Sequence, residues 1–248
     1  MDYFFSIITN YFFIQSAILL FFAPFYLSYL YKHKKFDKTK LTISEHLEKF
    51  FMSREANCLM LCWAALEAVI WFVIPEYLLL LLVFLRIKRK IQLLFYDIYG
   101  TILGTLIAFL IPFHTNSDIL RIPYLQQNMI TQVQVWYDHL GMFGLLFQPF
   151  SGVPYKIFTL TADRHHFFLP AFILLAVLVR ISRYYFFYII FTNLYPFVHR
   201  FVYKNYVPLF FIAGFIFTIA LLKVYHGYDI HYVIDYSFIE KYKILIPK

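Results

Sequence analysis

The sequence predicts an all-α, polytopic integral membrane protein, on the basis of its composition, its long apolar runs and two runs broken by proline. Of its 248 residues, 62% are hydrophobic and 15% are charged, which lies outside the range of soluble globular domains. Several apolar runs reach the roughly 20 residues that a helix needs to cross a bilayer. The net charge of +8 arises mainly at the ends of these runs, which indicates membrane topology and not a nucleic-acid partner.

Residues 1–31 are predicted to form an N-terminal transmembrane helix that is retained, because the run is too long for a signal-peptide core and ends in a basic stretch. Residues 32–55 follow as a basic linker and an interfacial amphipathic helix. Thr42 and Glu45 have the spacing of a capping box. The apolar side chains that follow share one helical face: Ile43, Leu47, Phe50 and Phe51. An ordinary solvent-exposed helix is the alternative, which a position between two membrane segments disfavours.

A membrane domain is predicted over residues 56–225, and it begins with a broken apolar segment at about 56–85. Glu67, Pro75 and Glu76 interrupt this segment, and basic residues stand on both of its sides. If both flanks are cytoplasmic, the segment enters and leaves on one face, as a re-entrant helical hairpin bent near Pro75.

A transmembrane helix follows this hairpin at about 91–113. It contains Gly100 and Gly104, whose spacing lets another helix approach closely. Asp97 lies one turn before Gly100, where it is either the acceptor of a helix-packing hydrogen bond or a proton site.

A second broken segment at about 135–160 repeats the pattern. Its breakers are Pro149, Gly152 and Pro154. The remaining elements are transmembrane helices at about 167–191 and 207–225 and a C-terminal tail at 226–248. Two broken segments that enter from opposite faces, each followed by a crossing helix, are typical of an inverted repeat with a substrate site near the bilayer midplane. The charge pattern predicts that both termini lie outside the cytoplasm.

Ionisable residues within apolar segments are the candidate substrate-binding or ion-binding residues, because charge is costly there unless it is paired or hydrated. The acidic candidates are Glu67, Glu76 and Asp97. A carboxyl group in such a place is able to take up and release protons while a cavity alternates between the two faces. For Glu76 the alternative is a hydrated residue at the tip of the hairpin.

The basic candidates are Arg180, Arg183 and Lys156. Arg180 and Arg183 are three residues apart and share one helical face, where guanidinium groups suit a lipid phosphate. Structural pairing with Glu67 or Asp97, or snorkelling to the headgroups, are equal alternatives. Lys156 follows the Pro154 break and either approaches the substrate or anchors the interface.

Known catalytic and metal-binding patterns do not stand out. Two groups of His and Asp lack recognised ligand spacing, namely Asp163, His165 and His166, and His226, Asp229, His231 and Asp235. The sequence contains no H-E-x-x-H motif and no G-x-S-x-G motif. We therefore expect no metal, no cofactor and no enzymatic activity.

Residues 147–162, FQPFSGVPYKIFTLTA, resemble the P-x-P-Y-K-x-F-T signature of the YqaA-type branch of the DedA/VTT membrane protein family, with Pro154, Tyr155 and Lys156 as its core. Other features are similar to those of the family in the same order: Glu67 before Pro75 and Glu76, the pair Gly100 and Gly104, and the pair Arg180 and Arg183. The likeness spans most of the chain.

This resemblance implies a transporter that flips or scrambles phospholipid or a polyprenyl-phosphate lipid, with coupling to protons or other cations left open. It also implies a bacterial cytoplasmic (inner) membrane as the location, and homo-oligomerisation stays open. The alternatives are a non-transporting membrane scaffold, for which the buried charges are packing pairs, and an intramembrane enzyme that modifies a lipid phosphate.

Overall fold

The computed structural model describes residues 2–33, 42–74, 77, 82, 90–111 and 115–230, and these residues form helices without any β-strand. The α-helices are α1 (Asp2–His33), α2 (Ile43–Phe51), α3 (Arg54–Glu67), α4 (Lys90–Leu110), α5 (Asn116–Ile119), α6 (Gln127–Leu140), α7 (Gln148–Ser151), α8 (Tyr155–Ala162), α9 (Leu169–Lys204) and α10 (Tyr206–Ile230). Two 3-10 helices, Gly141–Phe147 and Asp163–His165, complete this part of the chain.

Four of these helices are long and apolar enough to cross a membrane. The spans lie at Phe5–Lys32 of α1, Ile91–Leu110 of α4, Leu169–Val198 of α9 and Tyr206–Tyr228 of α10. The prediction of an all-α, multi-pass membrane protein is confirmed at this level.

Two helices extend beyond their predicted ends. Helix α9 continues to Lys204 instead of residue 191, and α10 continues to Ile230, so the predicted tail begins inside a helix. The apolar spans themselves reach Val198 and Tyr228, so the predicted ends at residues 191 and 225 were too early. Residues 231–248, with His231 and Asp235, lie outside the described residues.

Helix α2 begins with the predicted capping box. The Thr42 hydroxyl accepts from the backbone N–H of Glu45, and the Glu45 carboxylate accepts from the backbone N–H of Thr42 at 2.7 Å. Phe50 and Phe51 are buried, and their rings pack against Phe22 of α1. The apolar face of α2 is therefore partly covered by the protein itself.

Helices α3 and α4 pack closely along the predicted glycine pair. A Cβ atom on Gly100 would lie 2.2 Å from the carbonyl oxygen of Leu61, and one on Gly104 would lie 2.4 Å from that of Ala65. The prediction of a close helix approach is confirmed. Because residue numbers rise together along the two helices, α3 and α4 run parallel.

In the first broken segment the helix ends before the proline is reached. Helix α3 ends at Glu67, and the chain turns through Ala68–Ile70 and continues as irregular backbone to Ile74. The indole of Trp63 donates to the carbonyl oxygen of Val73 at 2.9 Å, which holds this stretch against α3. Pro75, where the bend is predicted, and Glu76 lie outside the described residues.

The second broken segment has two interruptions. Helix α6 begins at Gln127, before the predicted residue 135, and ends at Leu140, and the next residue, Gly141, adopts a positive φ of 57°. The second interruption follows α7 at Gly152, where φ is 73°, and continues through extended Pro154 into α8. Glycine adopts this left-handed backbone at little cost, and proline suits the start of a helix.

Candidate functional site

The two broken segments meet through side chains of α8. The Thr159 hydroxyl donates to the carbonyl oxygen of Ala68 at 2.6 Å, and the Lys156 ammonium donates to that of Ile70 at 3.2 Å. Both acceptors belong to the turn after α3, where backbone carbonyls have lost their helical partners. Side chains of the second broken segment therefore satisfy backbone groups of the first one.

Lys156 is buried to 99%. Because its ammonium group bonds to Ile70 inside the protein, the described geometry does not match an anchor at the membrane surface. An ammonium group in such a place is costly unless it is hydrogen-bonded or neutral. The Lys156 side chain therefore links the two breaks, although removing its ammonium group from water costs free energy.

Glu67 and Arg180 form a buried ion pair. Their side chains are 5% and 4% exposed, and an Nη2–H of Arg180 donates to Oε2 of Glu67. Arg180 also donates from Nε to the Thr101 hydroxyl at 3.1 Å. Of the interpretations left open for Arg180, pairing with Glu67 is the arrangement in this structure, and it connects the end of α3 to the middle of α9.

Aromatic rings surround the guanidinium group of Arg180. It lies 5.2 Å from the ring centre of Tyr155 and 5.7 Å from that of Tyr184, distances at which a cation is attracted to a ring face. The hydroxyls of Tyr155 and Thr105 are 2.8 Å apart. Tyr155, the first residue of α8, thus contacts both the ion pair and α4.

Asp97 takes part in packing between helices. Its side chain is fully buried and accepts a hydrogen bond from the Tyr184 hydroxyl of α9. Arg180 bonds to Thr101, whereas Tyr184, one turn later in α9, bonds to Asp97, one turn earlier in α4. Helices α4 and α9 are therefore antiparallel. The interpretation of Asp97 as a helix-packing acceptor is the one that this contact supports.

Sequence reasoning missed three residues of this network, Thr101, Thr105 and Tyr184, and it noted Tyr155 only as part of the signature core. A signal was present for the threonines, because Asp97, Thr101 and Thr105 recur every four residues and form a polar stripe on an apolar helix. No comparable signal marks Tyr184 in a chain with 22 tyrosines.

A cavity of about 250 Å³ lies beside the ion pair and between the two breaks. Glu67, Gln148 and Arg183 contribute its charged and amide groups, and α10 contributes an apolar wall. Arg183 donates to Oε1 of Gln148 at 3.1 Å. The three predicted breakers of the second segment, Pro149, Gly152 and Pro154, also line this cavity.

The histidine groups do not assemble in the described part of the chain. Among those residues, no three His, Cys, Asp or Glu side chains lie together as metal ligands would. His165 Nδ1 lies 3.6 Å from Oδ1 of the mostly exposed Asp138. Burial lowers the pKa of His165, against an opposing effect of Asp138.

The fold and this site define a multi-pass helical membrane protein with a buried ion pair and a cavity where two broken segments meet. No protein-family model, no curated protein and no solved structure matches the chain. Membership of the DedA/VTT family, YqaA-type branch, stays a prediction.

Proposed function

We propose that this protein is a DedA/VTT-type lipid transporter that flips or scrambles phospholipid or a polyprenyl-phosphate lipid. The observation that carries the proposal is the buried Glu67–Arg180 pair at the edge of a cavity lined by both broken segments. Charged groups within a membrane protein are costly and usually lie along substrate or ion pathways.

The proposal includes an inverted repeat of two re-entrant hairpins. Parallel packing of α3 and α4 supports the first hairpin, since the chain between them has to return. Along that stretch the ring of Phe72 packs against that of Tyr124, and Tyr77 donates to the carbonyl oxygen of Phe210 in α10.

A similar argument supports the second hairpin. Tyr137, near the end of α6, lies 4.9 Å from the ring of Phe167, just before α9 begins. The segment between them reaches Arg183, four turns into α9, through Gln148. It therefore leaves and regains the same end of α9, and the antiparallel order of α4 and α9 suits two repeats of opposite orientation.

The cavity suits an amphiphile. A headgroup anion would lie at Arg183 and Gln148, because the guanidinium fork binds phosphate oxygens well, while the acyl chains would follow the apolar wall of α10. Arg180 would be released from Glu67 when a headgroup takes its place, and a proton or another cation on Glu67 would compensate its charge. Such exchange of partners lowers the cost of moving a charged headgroup through hydrocarbon.

Reconstitution into vesicles tests the proposal. Fluorescent phospholipids of several headgroups, and a labelled polyprenyl phosphate, would be followed by chemical quenching of the outer leaflet. We expect transbilayer movement above that of empty vesicles and at least a tenfold loss in Arg183→Gln, since one charged hydrogen bond contributes about 1.5–3 kcal/mol.

Arg121→Gln is the matched control, because Arg121 is exposed in the described structure. It should retain the wild-type rate. Movement at the rate of empty vesicles for every lipid, with folded wild-type protein, would reject lipid transport and favour the scaffold alternative.

A further inference from the structure

Lys156 is a basic residue that lies inside the proposed transport site without reaching its cavity. It is 99% buried and does not line the cavity beside the ion pair. In the part of the chain that the structure describes, its ammonium group makes one hydrogen bond, to the carbonyl oxygen of Ile70, and no carboxylate lies within ion-pair distance of it. An ammonium group has three donors, so this environment favours the uncharged amine.

The charges at the junction of the two breaks do not balance. Among the described residues there, two are acidic, Glu67 and Asp97, and three are basic, Lys156, Arg180 and Arg183. Arg180 is paired with Glu67, and Arg183 lines the cavity, where water or a headgroup reaches it. Lys156 has neither a carboxylate nor the cavity beside it. It is therefore the basic group of this site that is best able to exist without its charge.

Glu67 is the carboxylate that is placed to pair with Lys156. It precedes Ile70, whose carbonyl oxygen holds the Lys156 side chain, by three residues, which is about one helical turn. Of the described charged groups, Glu67 is the one that attracts the ammonium group of Lys156. A small movement of the Lys156 head group would bring it to Glu67 if Arg180 were not there.

Further titratable groups on the helices around α8 are bonded to other partners. Tyr137 of α6 donates to a backbone carbonyl oxygen of α8, and Tyr155 of α8 shares a hydrogen bond with Thr105. Asp97 of α4 accepts from Tyr184 of α9. The two arginines of α9 add positive charge, which opposes a further cation in the resting protein.

Release of Arg180 from Glu67 would create a need for a new cation. The Glu67 side chain is 5% exposed, and a carboxylate left alone at such burial is strongly destabilising. The amine of Lys156 meets this need when it takes up a proton. The proton enters from water in the cavity at Glu67, which lines it. It then passes from a carboxyl oxygen of Glu67 to Nζ of Lys156, where an N–H bond forms as the O–H bond breaks.

We propose that Lys156 is the proton-binding residue of the transport site: it takes up one proton when an anionic headgroup draws Arg180 away, and it then replaces Arg180 as the partner of Glu67. This role rests on the proposed function. A headgroup with one negative charge and one proton enter together, so the net charge of the buried site is unchanged, and both leave when Arg180 returns to Glu67.

Calorimetry measures this coupling as a number of protons. The full-length protein in detergent micelles would be titrated with dihexanoyl phosphatidylglycerol, a phosphodiester that does not itself titrate near pH 8, and the heat of mixing with empty micelles would be subtracted. Titrations in phosphate and in Tris, whose enthalpies of ionisation differ, give the protons taken up per lipid bound. We expect about one proton at pH 8 and an increase of about tenfold in the dissociation constant from pH 8 to pH 9.

Substitutions of Lys156 assign the proton. Lys156→Arg carries a permanent charge, so the lipid should bind without proton uptake and equally well at pH 8 and pH 9. Lys32→Arg is the matched control, at a side chain that is 62% exposed, and it should take up one proton as the wild type does. Lys156→Met should bind at least about tenfold more weakly at pH 8, because Glu67 has no replacement cation. Addition of Glu67→Gln to that variant should restore binding.

Binding by the wild type without proton uptake would overturn the role of Lys156 and leave lipid transport standing, and this result does not depend on the folding of any variant. Uptake of one proton by Lys156→Arg, or wild-type affinity of Lys156→Met at pH 8, would also overturn it, since the proton then resides on another group. Absence of both binding and lipid movement in the folded wild type would reject the proposed function, and the role of Lys156 with it.

Discussion

The buried Glu67–Arg180 pair gives the sharpest test of the structure. Both side chains are about 95% buried, so water does not replace a lost partner, and breaking such a pair from one side costs about 3–5 kcal/mol. Arg180 keeps its hydrogen bond to Thr101 and its contact with the rings of Tyr155 and Tyr184. We therefore expect Glu67→Gln to lower the free energy of unfolding by about 3 kcal/mol, the lower end of that range.

A double-mutant cycle separates the pair from its surroundings. Arg180→Met alone should cost about 4 kcal/mol, because it leaves the Glu67 carboxylate without its cation. The variant with both substitutions should lose about 4 kcal/mol and not the sum of about 7, since residues in one ion pair show coupling of up to about 3 kcal/mol. Reversible unfolding of the purified protein in mixed micelles of detergent and denaturing surfactant would measure these values.

Glu55→Gln is the matched control. Glu55 forms an ion pair with Lys32 at 2.7 Å, but the Lys32 side chain is 62% exposed, and exposed pairs contribute about 0–1 kcal/mol. Equal, small losses for Glu67→Gln and Glu55→Gln, together with additive effects of Glu67→Gln and Arg180→Met, would refute the reasoning.

Three further outcomes follow from particular contacts. Gly104→Val should destabilise the protein by about 3 kcal/mol or more, because a side chain there meets the backbone of α3. Gly227→Val, with open space at its Cβ position, should change the same unfolding measurement by less than about 1 kcal/mol. Thr159→Val should cost about 1–2 kcal/mol by removing the donor to the first break, and hydrogen exchange should increase within residues 68–74; unchanged exchange there would contradict the contact. The hydrogen bond from Lys32 lowers the pKa of Glu55 below its ordinary value of 4.5, so the stability that this carboxylate contributes is present above pH 4.5 and lost as the pH falls through the lowered pKa. Glu55→Gln should flatten that part of the pH profile, and an unchanged profile would assign the dependence to other groups.

Several local features were predictable because they depend on residues close together in the sequence. The four spans follow from the length and hydropathy of single runs, and the cap of α2 follows from residues three apart. The pair Gly100 and Gly104 predicted a close helix neighbour, and α3 is that neighbour. The sequence did not show which helix it would be, because glycine spacing describes one surface only.

The sequence predicted which charged residues belong to the candidate site better than it predicted which of them contact each other. Glu67, Arg180, Arg183 and Lys156 were selected because charge is costly in apolar segments, and all four lie at or beside the junction of the two breaks. The sequence did not decide which residue each of them pairs with, since Glu67 and Arg180 are 113 residues apart.

The break after α3 is the clearest case in which the sequence does not predict where a helix ends. A proline is the strongest local signal for the end of a helix, so the sequence predicts a bend near Pro75. The helix instead ends at Glu67, and Thr159 and Lys156, from a distant segment, bond to the carbonyl groups beyond it. Such competition for backbone hydrogen bonds arises only in the folded chain.

The sequence by itself determined that this protein is an all-α membrane protein, where its spans lie and which residues carry costly charge, since transfer of each segment into lipid depends on its own side chains. Only the tertiary structure decided that Arg180 faces Glu67, that Tyr155 and Thr105 join them, and that Arg183 and Gln148 line the cavity. The physical reason is that a buried charge must find a partner, and several partners satisfy that requirement until packing of the helices selects one.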